Sequence, residues 1–153
     1  MFVQDSQNTD KNFWMARAFE EAQRSTCTRN ECNVGAIAVW NGELLAFGYN
    51  GTSGAITSCT DRGYCVRRKK NIESGTRREV AYCTCAEQHM ICNAARDGTR
   101  LNGAEVYITH KPCAICVRLM LKCGIVRAYY KNDYPEHFTD ELCRETGFEL
   151  IKL

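Results

Sequence analysis

Two short cysteine motifs, each at the mouth of a segment that reads as a helix, constrain this chain more than any other feature. One is Cys85-Ala86-Glu87; the other is Pro112-Cys113-Ala114-Ile115-Cys116. Cys113 and Cys116 are three apart, so on a helix both thiols face one way. A lone C-x-x-C pair fits zinc, a redox couple or plain core. Adding Cys85 at a second helix start sharpens the reading to zinc. Zinc takes thiolates in tetrahedral geometry, and a catalytic site uses three protein ligands plus a water. Both helix N-termini would face the sulfurs, and their dipoles would offset part of three negative charges. Glu87 stands two residues after Cys85, and residues two apart do not share a helix face. It is therefore expected to overlook the open side of the metal rather than to ligate it. There it could take a proton from a water that a metal makes acidic near neutrality.

The remaining composition fits this reading. A length of 153 residues suits a single domain over 1–153 with a sizeable core. The eleven cysteines form an odd total, which argues against full internal pairing. The stretch MFVQDSQNTDKNFW is polar and lacks the apolar run of a secretion signal. No apolar run approaches the ~20 residues of a membrane span. The expected setting is a reducing cytoplasm, where clustered thiols suggest metal rather than disulfides. A net charge of +2 gives little pull on a long phosphate chain, so no polynucleotide and no membrane partner is expected.

The hydrophobic pattern predicts a helix over 12–24, where Trp14, Ala18 and Ala22 recur every four residues with Met15 and Phe19 beside them. VGAIAVW and ELLAFGY flank Asn41-Gly42, a strong hairpin signal. Residues 50–84 read as a long, polar, irregular insert, and inserts of that length in small domains usually carry function. A helix follows from about Cys85 to Arg96, then a strand over 104–110. Pro112 is expected to open the next helix and Gly124 to close it. A strand over 125–130, a helix in FTDELCRETG and a strand in FELIKL complete the order. Alternation of this kind predicts an α/β domain of three α-β-α layers around a mixed sheet of about five strands.

The chain resembles the zinc-dependent cytidine deaminase superfamily, whose signature pairs H-x-E with P-C-x-x-C. VGAIAV, GYNGTSG, CAEQHMICNAARDG, VYITHKPCAIC and CGIVRAYY, in that order, are similar to the deoxycytidylate (dCMP) deaminase family and its late-competence ComE-type members. The resemblance implies a cytidine deaminase-like fold and zinc on Cys85, Cys113 and Cys116. It implies hydrolytic deamination of dCMP to dUMP with release of ammonia, Glu87 moving the proton. It further implies substrate contacts from Asn50, Ala86 and Pro112. Arg96 resembles a position tied to regulation by dCTP or dTTP, an effector held with Mg2+ in a homohexamer. The family usually has histidine where Cys85 stands. Three thiolates donate more charge than two, so the metal would be a weaker Lewis acid unless nearby donors compensate.

Residues 59–82 hold seven basic side chains (Arg62, Arg67, Arg68, Lys69, Lys70, Arg77, Arg78) against three acidic ones (Asp61, Glu73, Glu79). That is a local +4, leaving −2 for the rest of the chain. Clustered guanidinium groups favour a phosphorylated ligand, and Gly51, Arg67, Arg68, Arg78 and Arg96 are the candidate phosphate or allosteric positions. Cys27, Cys59, Cys65 and Cys83 could bind a second, structural zinc, or pack as small hydrophobes. His110 could support the loop before the metal helix or touch a base.

Two classes of function stay open. One is an enzyme acting on dCMP or on another cytosine nucleoside or nucleotide (cytidine, deoxycytidine, dCTP). The other is a non-catalytic module in which Cys83 closes the metal sphere as a fourth sulfur. Glu87 separates them, because a closed site has no use for a carboxylate there.

Overall fold

A computed structural model describes residues 10–153. The frame starts at the hairpin of β1 (Gly35–Trp40) and β2 (Glu43–Tyr49). Asn41 and Gly42 both have positive φ, 49° and 75°, as the tightest two-residue turn requires. A bulge follows, since Ala38 pairs with Ala46 but Val39 pairs with Leu44. β3 (Glu105–His110) runs antiparallel to β1, while β4 (Arg127–Asn132) and β5 (Glu149–Lys152) run parallel to β3. The five-stranded mixed sheet has the order β2-β1-β3-β4-β5.

Alternating side chains divide the core into two layers. Ile37, Val39, Tyr107 and Tyr129 face α1 (Lys11–Ala22), which inserts Trp14, Met15 and Ala18. Phe19 stays partly exposed, so the buried stripe of α1 is Trp14, Met15, Ala18 and Ala22. Ala36, Ala38, Val106, Ile108 and Ala128 face the other way. There they meet α4 (Ala86–Asp97) and α5 (Ala114–Lys122), with Leu142 and Cys143 of α6 (Thr139–Thr146) packed at the margin. The expected α-β-α layering is therefore present.

Small residues set the spacing of these layers. A Cβ on Gly35 would lie 2.0 Å from the Ala18 carbonyl oxygen, and one on Gly48 would lie 2.3 Å from the Met90 nitrogen. The two helices thus ride directly on strand backbone, one on each face of the hairpin.

The insert is less irregular than its composition suggests. It folds two single-turn helices, α2 (Cys59–Arg62) and α3 (Val66–Lys69), and a 3-10 turn at Arg78–Val80. Gly51 then pairs with Thr84 through two backbone hydrogen bonds, Thr84 N–H to Gly51 O at 2.9 Å and Gly51 N–H to Thr84 O at 3.3 Å. That clamp fixes the chain just before Cys85. Among the described residues, no helix is long and apolar enough to cross a membrane.

Candidate metal centre and active site

The two cysteine motifs converge where β3 and α4 deliver them. Cys85 is the N-cap of α4, and Cys113 is the N-cap of α5 with Cys116 one turn inside. Pro112 precedes that cap, two positions before the first helical residue, rather than occupying the first turn. It is fully buried, and its carbonyl accepts a 2.9 Å hydrogen bond from Thr139 Oγ1. The Cys85 amide is closed by Gln88 Oε1 at 3.0 Å, so α4 begins at a fixed point. Among the described residues, the ligand atoms of Cys85, Cys113 and Cys116 form a group lying within 4.8 Å of one another. Thiolates bound 2.3 Å from a tetrahedral zinc sit roughly 3.8 Å apart. Two helix N-termini, three convergent sulfurs and no fourth protein sulfur in the group fit a zinc that keeps one open position.

Glu87 is 4% exposed, on the first turn of α4. Burial, seconded by the Cys113 charge, pushes its carboxyl up to about 7 against the opposing pull of Arg78. Proton sharing among the sulfurs lowers the Cys113 thiol, through hydrogen bonds with Cys116 and Cys85, and raises that of Cys116. A carboxyl poised near neutrality beside a cluster of sulfurs is suited to moving a proton.

Two cavities flank the sulfurs. The larger, about 900 Å³, reaches Cys85 and Cys113 from the side of Phe138 and Glu141. The smaller, about 160 Å³, is lined by Glu87, Ala86, Asn50, His110, Lys111 and Tyr134. Of the two, the smaller is the one that the buried Glu87 lines. It lies off the carboxyl ends of β3 and β4, the usual place for ligands in sheets with parallel strands.

The other sequence candidates separate. Asn50 lines the smaller cavity, but its amide is tied to the chain: Oδ1 accepts from Val34 N–H at 2.8 Å and Nδ2 donates to Cys32 O at 2.7 Å. Arg67 lines it too and braces the insert, donating to the Glu73 and Thr76 carbonyls at 2.8 and 2.6 Å. Arg68 is exposed, 4.0 Å from Glu31. Arg96 sits at the opposite end of α4, about 16 Å along the axis from Cys85, where it donates to Asn93 Oδ1 at 2.9 Å. Arg78 turns inward: Nη2 donates to the Cys85 sulfur and Nη1 to Tyr134 Oη at 3.0 Å. Burial would lower its pKa, but the charges of Cys85 and Cys113 hold it above the ordinary arginine value.

Of the four thiols considered for a second zinc, Cys59 and Cys83 touch, Sγ to Sγ at 3.4 Å, while Cys27 and Cys65 line the same smaller cavity. Cys83 therefore faces Cys59 and does not join the Cys85 group. Sequence reasoning missed Tyr134, Lys111 and Arg29, all cavity-lining. Lys111 lies between a strand and a metal motif, and Tyr134 precedes Pro135 after β4; both positions were legible signals. Arg29 carried none.

The comparisons agree with this geometry. Residues 8–132 match the family model described as the cytidine and deoxycytidylate deaminase zinc-binding region. ComE operon protein 2 of Bacillus subtilis is 34% identical over 136 residues, covering 88% of this chain, and a deoxycytidylate deaminase of Schizosaccharomyces pombe is 29% identical over 140 residues, covering 91%. This chain spans 66% and 42% of those relatives, respectively. The crystal structure of the dCMP deaminase from cyanophage S-TIM5 in complex with dCMP and dUMP superposes with a TM-score of 0.76 at 28% identity, covering 94% of this chain and 96% of that one. With the matched region extending from ahead of α1 through β4 and enclosing both cysteine motifs and Glu87, this chain belongs to the cytidine and deoxycytidylate deaminase zinc-binding family.

Proposed function

We propose that this protein is a zinc-dependent hydrolase that converts dCMP to dUMP and releases ammonia. The observation that carries the proposal is the buried Glu87 carboxyl opening into a cavity beside three convergent sulfurs. Cys85, Cys113 and Cys116 would hold the zinc, which supplies a Lewis acid that makes water acidic near neutrality. Glu87 takes a proton from the attacking water, passes it to N3 of the pyrimidine, and assists departure of the C4 amino group as ammonia. Tight packing of Ala86 and the first turn of α4 keeps the carboxylate from swinging away.

The phosphate end of the substrate is assigned to Arg67, Lys111 and Arg29, which line the same cavity, with Arg29 paired there to Glu31 at 3.0 Å and Lys111 to Asp140 at 2.8 Å. The dCMP and dUMP complex of the cyanophage relative supports the choice of a monophosphate. The alternative closed module needs a fourth sulfur, and Cys83 is engaged by Cys59 instead. A second zinc on Cys27, Cys59, Cys65 and Cys83 is part of the same reading; it is supported by the Cys59–Cys83 contact and requires Cys27 and Cys65 to draw in.

The test is ammonia release from dCMP by the full chain, with Glu87→Gln in parallel. The wild type turns over, and the variant loses about 10²–10⁴-fold in kcat while keeping its zinc. Full activity in Glu87→Gln removes the mechanism. A panel of deoxycytidine, cytidine, dCMP and dCTP identifies the substrate by kcat/KM; equal values for deoxycytidine and dCMP would remove the phosphate assignment.

A further inference from the structure

An acidic side chain stands among the cations of the smaller cavity. Glu31 lines it together with Arg29, Arg67 and Lys111. It occupies the middle of a one-turn 3-10 helix, Asn30–Cys32, and that turn is held at several points. Cys32 N–H donates to Arg29 O at 2.9 Å, and Cys32 O accepts from Asn50 Nδ2 at 2.7 Å. The His110 ring meets the Glu31 backbone. The carboxylate is thereby aimed: Oε1 lies 3.0 Å from Arg29 Nε and 4.0 Å from Arg68 Nη2. A bond from its own backbone, seconded by Arg29, holds the carboxyl below its ordinary value, so it is ionised near neutrality. Asp140 is different. It does not line the cavity and reaches it only through Lys111, at 2.8 Å.

The cations Arg29, Arg67, Arg68 and Lys111, set against the carboxylates Glu31 and Asp140, leave this end with a net +2. A phosphomonoester carries about −1.5 to −2 near neutrality, so the two match. A longer phosphate chain brings more negative charge, and it meets Glu31 with no further cation of this set to offset it. We propose that Glu31 sets the number of phosphates the site accepts, leaving enough positive charge for one and repelling a chain of two or three. This rests on reading the cavity as a nucleotide site with its phosphate end at Arg29, Arg67 and Lys111. Specificity comes from what a site repels as well as from what it holds. Glu31 does both, because the carboxylate that repels a second phosphate also keeps Arg29 in place for the first.

Glu31→Gln tests the role, since it keeps an oxygen for Arg29 Nε–H and removes only the charge. The measurement is kcat/KM for deoxycytidine, dCMP, dCDP and dCTP at about 0.05 M and about 0.5 M salt. At the lower salt the variant should raise the dCTP/dCMP ratio about 3–10-fold over wild type. At the higher salt the gain should shrink, because exposed charges are screened. Inhibition of dCMP turnover by tripolyphosphate, relative to inorganic phosphate, reads the same selectivity without a base and decides where dCTP turnover is too slow to measure. Arg68→Gln withdraws a cation from the other side of Glu31 and should lower the ratio; it also decides if Glu31→Gln fails to fold. An unchanged ratio in Glu31→Gln, a gain that survives at the higher salt, or a ratio that does not fall in Arg68→Gln overturns the role. A wild type that turns over none of the four substrates removes the deaminase reading instead, and equal kcat/KM for deoxycytidine and dCMP removes the phosphate end. Both are seen before any variant is compared.

Discussion

Gly48 of β2 touches α4 with its bare backbone: a Cβ there would stand 2.3 Å from the Met90 nitrogen and 2.4 Å from the Ala86 carbonyl oxygen. Backbone atoms of a helix cannot step aside as a flexible side chain can. Any side chain at 48 must push the first turns of α4 off the sheet, and those turns carry Glu87 and begin at Cys85.

Gly48→Ala should therefore damage the site as well as the fold. Overpacking of this kind costs about 1–3 kcal/mol, readable as a lower urea midpoint at unchanged slope. Because Glu87 moves relative to Cys113 and Cys116, kcat should fall further than the stability loss explains. An alanine variant with wild-type kcat would show that α4 can shift without disturbing the carboxylate.

The entry to α5 depends on a single hydroxyl. Thr139 is fully buried; its Oγ1 donates to the Pro112 carbonyl at 2.9 Å and contacts the Glu136 carboxylate, which also accepts from Thr139 N–H at 2.8 Å. Thr139→Val keeps the shape and removes the donor, so the Pro112 carbonyl is left unpartnered one residue before Cys113. The expected loss is about 1–3 kcal/mol in chemical denaturation, with weaker zinc retention against a chelator. Thr139→Ser should recover most of both.

How much of this could be read from the chain alone depended on whether the signal was local. Asn41-Gly42 fixed the hairpin because positive φ at two successive positions is a property of those residues. The α4 and α5 starts were visible because Cys85 and Cys113 are followed by long periodic segments. By contrast, the order β2-β1-β3-β4-β5 rests on β1 pairing with β3 across more than sixty residues, and no short window records that. The single-turn helices of the insert are too brief and polar to show a period. Arg78 could not be distinguished from six neighbouring basic side chains, since what sets it apart is contact with Cys85 and Tyr134.

Lys111 is the cleanest handle on substrate choice. It lines the smaller cavity, and its ammonium is held at 2.8 Å by Asp140 on α6. If it meets the phosphate, Lys111→Met should raise KM for dCMP about 10–100-fold, the worth of one charge-assisted hydrogen bond. Activity on deoxycytidine, which has no phosphate to lose, should stay within about twofold of wild type on the same reasoning. Equal losses on both substrates would place Lys111 in loop support instead.

His110 gives the fold a dependence on pH that can be isolated. It ends β3, half-buried, with Nδ1 3.0 Å from Thr109 Oγ1. Burial lowers its pKa below the ordinary 6.5, outweighing the opposite pull of a backbone hydrogen bond near Glu31. In the window between that lowered value and about 6.5, the unfolded chain binds more protons at this position than the folded one. Its contribution to stability is therefore intact above about pH 6.5 and is lost as pH falls through the folded value. His110→Gln removes the titration and keeps a polar side chain. The wild type should lose more stability than His110→Gln between pH 7.5 and 5.5 in urea denaturation of the metal-free protein, and the two should run parallel above pH 7. Parallel curves across the whole range would mean that His110 titrates alike in both states and that its burial is relieved by solvent in the cavity.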